Sequence, residues 1–498
     1  KQGLHFANKN KALHQMQLGS TPGRDGKLMS LTEELISDYS LLTRMMTSKC
    51  AADMASAYDR IIVSISSLIS RSFGTHQNAV ILQSSNLKSA LYKIKLCNDI
   101  SDLAYHNTPL WAIHGTGQGS ASSPSIFCFI SSKLFECYED KAKGLDIKTS
   151  DGNKLCNISI MGFVDDTQSI SSSNDNTVLD LIHNTKSDIK LWNDLLHCSG
   201  GKLELTKTKC HIMKYTFIDG IPHLCTAPNP PLEILDHNKD LISVEEKSVF
   251  AEHKSMGHQK APGGTRKAQF KETMKKAITI STSIHQCPVG RKEARTLFDS
   301  IFRPSIGYIA GQTFFSDQQM QLIQQKSMPL IYAKCGFNRN TSKAILQGPG
   351  RMGGGNFIML EARQLSDMLR HFVKIWRQHT SKFSHLLRAI LSWSQHHSGL
   401  ESPILMDTTI ALKHIDGNFI TTIRRLLQKV DAQLETDQTF VPFKLRKNDI
   451  ALVKTIIKSK MFSVKQLRII NAMRMHLNVI FLSEICNCEG NQMRKTQH

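Results

Sequence analysis

Two carboxylates stand side by side at Asp165 and Asp166. A β-favouring run from Asn157 to Val164 leads up to them, and a second short run, Thr167 to Ser171, leads away. This pattern predicts a β-hairpin with both acids at its tip. Side chains alternate faces along a strand, so one acid can face a cleft while its neighbour supports it. Adjacent carboxylates repel each other and favour a bound cation. Their hard oxygens suit Mg²⁺ or Mn²⁺, and Mg²⁺ is typically held by one or two carboxylates plus substrate phosphates. Asp is also an ordinary turn residue, so the weight of the pair depends on the residues that accompany it.

A third acid, Asp53, follows the small apolar approach Cys50-Ala-Ala and precedes Tyr58, Asp59 and Arg60. A strand ending near Asp53 and turning into a helix by Ile61 would aim the acid into a cleft. A helix throughout, with Asp53 on its exposed face, is the other reading of the same residues. The stretch His114-Gly-Thr-Gly-Gln-Gly-Ser-Ala-Ser-Ser-Pro124 is rich in Gly and Ser and runs into a helix expected to reach about Lys141. No Gly-Lys-Ser/Thr follows, so it is not a nucleotide-binding P-loop. A Gly-rich loop that opens a helix still lets a nucleic-acid backbone approach closely. After a helix over 174–197, stopped by Gly200-Gly201, an alternating run carries Lys207 and Lys209. Exposed lysines on an edge strand are the plainer account of that pair.

The elements that position these residues belong to a chain of 498 residues, enough for roughly three domains and a sizeable core. Helical spacing over 30–49 suggests a helix capped by Ser30 or Thr32, and 60–105 is mostly helical in pattern. Residues 218–247 form an irregular connection. Residues 251–300 carry ten Lys/Arg against four Asp/Glu, a candidate groove for a nucleic-acid backbone or a solvated face. Residues 359–480 are rich in helix. The formal net charge of +20 points to a polyanionic partner, most often nucleic acid. No run approaches the ~18–20 apolar residues of a membrane span. The 12 cysteines are scattered without a Cys-x-x-Cys pair, which suggests reduced thiols in a reducing compartment. The first residue is Lys and no signal peptide follows, so the start reads as the middle of a larger open reading frame.

Taken in order, these features resemble motifs A to D of a reverse transcriptase of the non-LTR retrotransposon and group II intron maturase type. Asp53-Met-Ala-Ser-Ala-Tyr58-Asp-Arg-Ile61 looks like motif A and Gly117-Gln-Gly-Ser-Ala-Ser-Ser-Pro124 like motif B. Phe163-Val-Asp-Asp166 looks like motif C and Ser199-Gly-Gly-Lys-Leu-Glu-Leu-Thr-Lys207 like motif D. The segment Gln17-Leu-Gly-Ser-Thr-Pro-Gly-Arg24 resembles the Gly-x-x-Pro-Gly-Arg segment that precedes motif A in these elements, and Ser255-Met-Gly257 resembles motif E, with Met in place of Leu. The likeness covers about residues 15–260, and less specifically 300–380.

The resemblance implies an α+β fold, a right-hand polymerase palm followed by a mostly helical thumb and C-terminal region. It divides the chain into a remnant of the fingers (1–50), a palm with motifs A to D (51–217), a motif E-like segment and basic thumb start (218–300), a helical thumb or connection (301–380) and a helical region (381–498). It implies RNA-directed DNA synthesis in which Asp53 and Asp165 bridge two Mg²⁺ or Mn²⁺ ions and Asp166 contributes negative field and a weaker contact. Lys207 would assist the leaving pyrophosphate, Tyr58 would exclude a 2′-hydroxyl, and Gln118 and Gly119 would position template and nucleotide. The implied partners are an RNA template, a DNA primer, deoxynucleoside triphosphates and the element RNA in a ribonucleoprotein, in the cytoplasm or nucleus and without a membrane. A catalytically inert nucleic-acid binder, such as a decayed retroelement or a maturase-like RNA-binding protein, is the alternative.

Overall fold

The computed structural model describes residues 2–493 except 22, 56, 98, 107, 109–114, 117–121, 219–220, 237, 488 and 490–491. The chain opens with α1 (Gln2–Lys9) and α2 (Gly26–Thr43) and enters the strand β1 (Thr47–Ala52). Helices α3 (Val63–Ser72) and α4 (Gln77–Ser89), a hairpin of β2 (Leu91–Leu96) and β3 (Asp99–His106), and α5 (Ser123–Glu139) follow. Next come β4 (Leu145–Lys148), β5 (Lys154–Ile158), β6 (Ile160–Phe163), β7 (Asp166–Ser172), α6 (Val178–Cys198) and β8 (Lys209–Met213). Short strands succeed these: β9 (Tyr215–Ile218), β10 (Ile221–Leu224), β11 (Glu233–Leu235), β12 (Leu241–Ser243), β13 (Glu245–Lys247), β14 (His253–Ser255) and β15 (His258–Lys260). The rest is helical: α7 (Lys267–Gln286), α8 (Arg291–Leu297), α9 (Arg303–Ala310), α10 (Asp317–Lys334), α11 (Lys343–Gln347), α12 (Leu360–Trp376), α13 (Lys382–Ser398), α14 (Phe419–Lys429), α15 (Leu452–Ser459) and α16 (Val464–His476). The fold is therefore α+β, a mixed sheet followed by helices.

Five strands form that sheet in the order β13-β8-β1-β7-β6, antiparallel except for the β13–β8 pair. Strand alternation gives the sheet two different faces. Cys50, Ile160, Cys210 and Ile212 face α5 and α6, where they join Phe135, Leu181 and Trp192. Met161 and Ile170 join the opposite core with Leu31, Leu35 and Tyr39 of α2 and Leu386 and Ile390 of α13. A third core sits among α7 to α12, around Phe298, Phe302 and Phe357. Among the described residues no helix is long and apolar enough to cross a membrane.

Several local expectations change. The helix expected over 30–49 begins at Gly26, capped by the Asp25 side chain on Leu28 N–H (2.9 Å), and ends at Thr43. Thr32 lies inside it, its hydroxyl bonded back to the Leu28 carbonyl at 2.6 Å, a use of Thr that competes with capping. Thr47 to Ala52 become a strand because β7 and β8 flank them; pairing and burial on both sides override local helical spacing. The 60–105 stretch is helical only to Ser89 and then forms the β2–β3 hairpin. The expectation of reduced cysteines fails at Cys50 and Cys210, which lie directly opposite each other across β1 and β8 and form a disulfide.

Candidate active site

Strand β1 ends at Ala52, so Asp53 leaves the sheet at the end of its central strand. Beyond it the chain stays tied to the loop before β8. The Asp53 carbonyl accepts from Glu204 N–H (2.9 Å), and Ala55 N–H donates to the Lys202 carbonyl (2.9 Å). On the other side β1 pairs with β7, Ala52 opposite Thr167. The β6–β7 hairpin closes with Phe163 opposite Asp166, leaving Val164 and Asp165 as a two-residue turn. Two acids more than a hundred positions apart in sequence, Asp53 and Asp166, thus sit at neighbouring strand ends.

Both line one cleft of about 760 Å³, whose other walls include Lys207, Lys254, Ser255 and Gln259. Lys207 lies in the turn just before β8 rather than on the strand, and its Nζ is 3.7 Å from Asp53 Oδ2. Both side chains of that pair are well exposed, so it is a weak contact that a stronger cation can displace. Asp166 is held above the usual carboxylate range, first by partial burial in the cleft and then by the carboxylates of Asp165, Asp53 and Glu33. Among the described residues no group of three or more His, Cys, Asp or Glu is arranged to hold a metal ion by itself. The donor set still suits a hard divalent cation that completes its shell with substrate phosphates: it offers oxygen ligands among neighbouring carboxylates.

Asp165 does not line this cleft with the other two; its charge acts on Asp166 and also falls on Tyr58. Burial, with Asp165 adding, pushes the Tyr58 phenol up. The Tyr58 ring packs 5.2 Å from that of Phe127 on α5. Thr116 N–H donates to the Tyr58 carbonyl (2.8 Å) and Gly115 N–H to the Ile61 carbonyl (2.7 Å). Gly115 has φ +99, and a Cβ there would meet the Tyr58 carbonyl oxygen at 2.7 Å. The backbone before the Gly-rich loop is therefore pinned beside Tyr58. Gln118 and Gly119 lie outside the described residues.

Sequence reasoning missed the support behind the cleft. Glu33 on α2 is buried, its Oε2 2.6 Å from Lys260 Nζ and its Oε1 2.7 Å from Ser255 Oγ. Lys49 of β1 is buried too; its Nζ donates to the Glu33 carbonyl (2.9 Å) and to Ser37 Oγ (2.8 Å), and burial brings it down to about 8. These contacts anchor the β14–β15 hairpin, whose two-residue turn, Met256 and Gly257, has positive φ at both positions. The local sequence held no signal for this support, because Lys49 falls within the stretch expected to be helical. Beyond the hairpin, Lys267, Lys271 and Lys275 recur every fourth residue on the exposed side of α7, the basic stretch expected from composition.

No protein-family model and no curated protein matches the chain. Among solved structures, it is similar to telomerase from Candida albicans in complex with the TWJ fragment of telomeric RNA. There the identity is 12%, the TM-score 0.26, and 77% of this chain and 55% of that one are covered. It is also similar to apo telomerase from Candida tropicalis, at 13% identity and TM-score 0.33, over 79% of this chain and 55% of that one. The chain thus spans about half the length of both telomerase chains. At these scores the case for function rests on the residues of the site.

Proposed function

We propose that the chain is the polymerase part of an RNA-directed DNA polymerase of non-LTR retrotransposon type, with the five-stranded sheet as palm and the helices from α7 onward as the start of a thumb. The observation that carries this reading is the convergence of Asp53 with the Asp165–Asp166 hairpin on adjacent strands, beside Lys207. In this reading Asp53, Asp165 and Asp166 hold two Mg²⁺ or Mn²⁺ ions. When bound, such ions stabilise charge on the attacking and leaving oxygens of a phosphoryl displacement. Lys207 gives a proton to the leaving pyrophosphate. Tyr58, braced on Phe127, lies under the incoming sugar and excludes a 2′-hydroxyl. Gln118 and Gly119 position template and nucleotide. The α7 lysines hold the backbone of an RNA template paired with a DNA primer, and the element RNA is the ribonucleoprotein partner, in the cytoplasm or nucleus.

The test is primer extension on an RNA template with Mg²⁺ or Mn²⁺, beside Asp165→Asn. Metal-dependent synthesis lost in the variant, with template binding kept, supports the reading. Salt-sensitive RNA binding without synthesis in either protein replaces it with an inert nucleic-acid binder.

A further inference from the structure

The turn that carries Asp165 holds a conformation its own sequence resists. Val164 sits at φ +61, where a β-branched residue is an outlier. Hairpin turns with positive φ at the first turn residue ordinarily place Gly there. The two carboxylates that follow also repel each other. Left to itself, such a turn relaxes and separates the acids, so something outside the hairpin has to hold it.

The segment from His14 to Gly19, with Arg24, is placed to do so. Leu18 N–H donates to the Gly162 carbonyl (2.8 Å) and Gly162 N–H to the Met16 carbonyl (3.0 Å), which adds a short parallel run to the free edge of β6. The chain then crosses the turn at Gly19. A Cβ at Gly19 would stand 2.4 Å from Val164 N, 2.6 Å from Val164 Cγ2 and 3.1 Å from the Phe163 carbonyl carbon. Backbone lies directly on backbone there, with no room for a side chain. This crossing is itself fixed: buried Gln17 accepts from Gly19 N–H (2.9 Å) and donates to Ser131 Oγ on α5 (2.6 Å). Arg24 Nη1 donates to the carbonyls of His14 and Gln17, both at 2.8 Å.

We propose that this segment is a clamp that presses the Asp165 turn into its cation-binding conformation, with Gly19 as a positioning residue acting through Val164. The inference rests on the polymerase reading of the three acids. Gly19 touches no substrate; it pre-organises the ligands by denying the turn room to relax.

The test compares the parent chain with Gly19→Ala, Val164→Gly and Gly417→Ala, the last a control at a glycine with open space around it. Four quantities are read: thermal unfolding, hydrogen exchange across 160–168, Mn²⁺ binding by electron paramagnetic resonance, and primer extension. In Gly19→Ala, exchange at the turn should quicken, Mn²⁺ affinity should fall about tenfold, and kcat should fall about 10²-fold with KM for primer–template unchanged, the scale expected of a ~1 Å misplacement. Val164→Gly relieves the φ strain in the same turn conformation, so its Tm should rise with Mn²⁺ affinity and kcat kept, the opposite of the Gly19→Ala outcome. It also carries the test if Gly19→Ala does not fold. A folded Gly19→Ala with parental exchange and Mn²⁺ affinity overturns the clamp, as does a Val164→Gly that gains no stability, because the turn then holds no strain for a clamp to oppose. A parent chain that neither binds Mn²⁺ nor extends a primer removes the polymerase reading and the clamp together, before any variant is compared.

Discussion

Replacing Glu33 with Gln should cost about 3 kcal/mol of stability at pH 7, although the residue touches no substrate in the proposed reaction. Its carboxylate is 3% exposed and meets Lys260 Nζ at 2.6 Å and Ser255 Oγ at 2.7 Å. Lys260 also donates to the Ser30 carbonyl at 2.6 Å. Removing one partner of a buried pair leaves the other charge uncompensated and costs roughly 3–5 kcal/mol. Gln keeps one acceptor oxygen, for Lys260, and its amide N–H can donate to Ser255 Oγ, which places the loss at the lower end. Burial alone would raise the Glu33 carboxyl, but Lys260 and Lys49 more than offset it and leave it below the ordinary 4.5. A depressed carboxyl stabilises the fold above its unfolded value, and that stability is lost as pH falls through the folded value. The gap between parent and variant should therefore be full at pH 7 and close in acid. Urea unfolding across pH measures it. The double replacement Glu33→Leu with Lys260→Met, which removes both charges, should return to within about 1 kcal/mol of the parent. A loss below about 1 kcal/mol for Glu33→Gln at pH 7, or a double variant worse than the single, would refute this account of how the hairpin is anchored.

Asp38→Asn should act in the opposite sense. Burial, opposed by Phe419 N–H at 2.7 Å and by Arg266 and Lys49, and reinforced by Glu34, lifts Asp38 from 3.8 to about 7. A raised carboxyl gives stability that is present below 3.8 and lost as pH rises through 7, about 4 kcal/mol at most. The Asn variant should thus unfold at higher denaturant than the parent at pH 8 and show a flatter pH profile; no gain at pH 8 would count against it. Lys207→Ala should lower kcat by ~10²–10⁴-fold and leave unfolding within about 0.5 kcal/mol, since the Asp53 contact is exposed; single-turnover extension separates the two effects. Tyr58→Ala should admit ribonucleotides in competition with deoxynucleotides, and unchanged sugar discrimination would remove Tyr58 from that role.

What the sequence made legible was local. The Asp165–Asp166 hairpin could be read because two β-favouring runs flank the pair within a few residues. Helix α6 could be read because its apolar period and the Gly200 stop are both contiguous. Asp53 stayed open between strand and helix because what settles it, pairing with β7 and β8, comes from residues more than a hundred positions later. For the same reason Cys50 and Cys210 gave no sign of pairing. Glu33 and Lys49 both fell within the helix expected over 30–49; only the strand pairing of Lys49 and the arrival of Lys260 from a distant hairpin make them a buried network. Gly19 was visible as part of a turn-rich segment, but the Val164 backbone that excludes its side chain was not.

The packing of α13 and α14 against α2 has a consequence for how the protein is made. Asp38 near the start receives its N–H from Phe419, and Gln15 accepts from Lys382. The core on that side of the sheet needs Leu386, Ile390 and Ile423 before it closes. On a ribosome, the sheet is fully synthesised when Lys247 emerges, yet α14 ends only at Lys429. At 5–20 residues per second, roughly 10–40 s pass with Leu31, Leu35 and Tyr39 lacking their final partners. That interval is a window for chaperone capture or for aggregation of the nascent chain, and a stop before Phe419, which would leave α14 unmade, would extend it indefinitely.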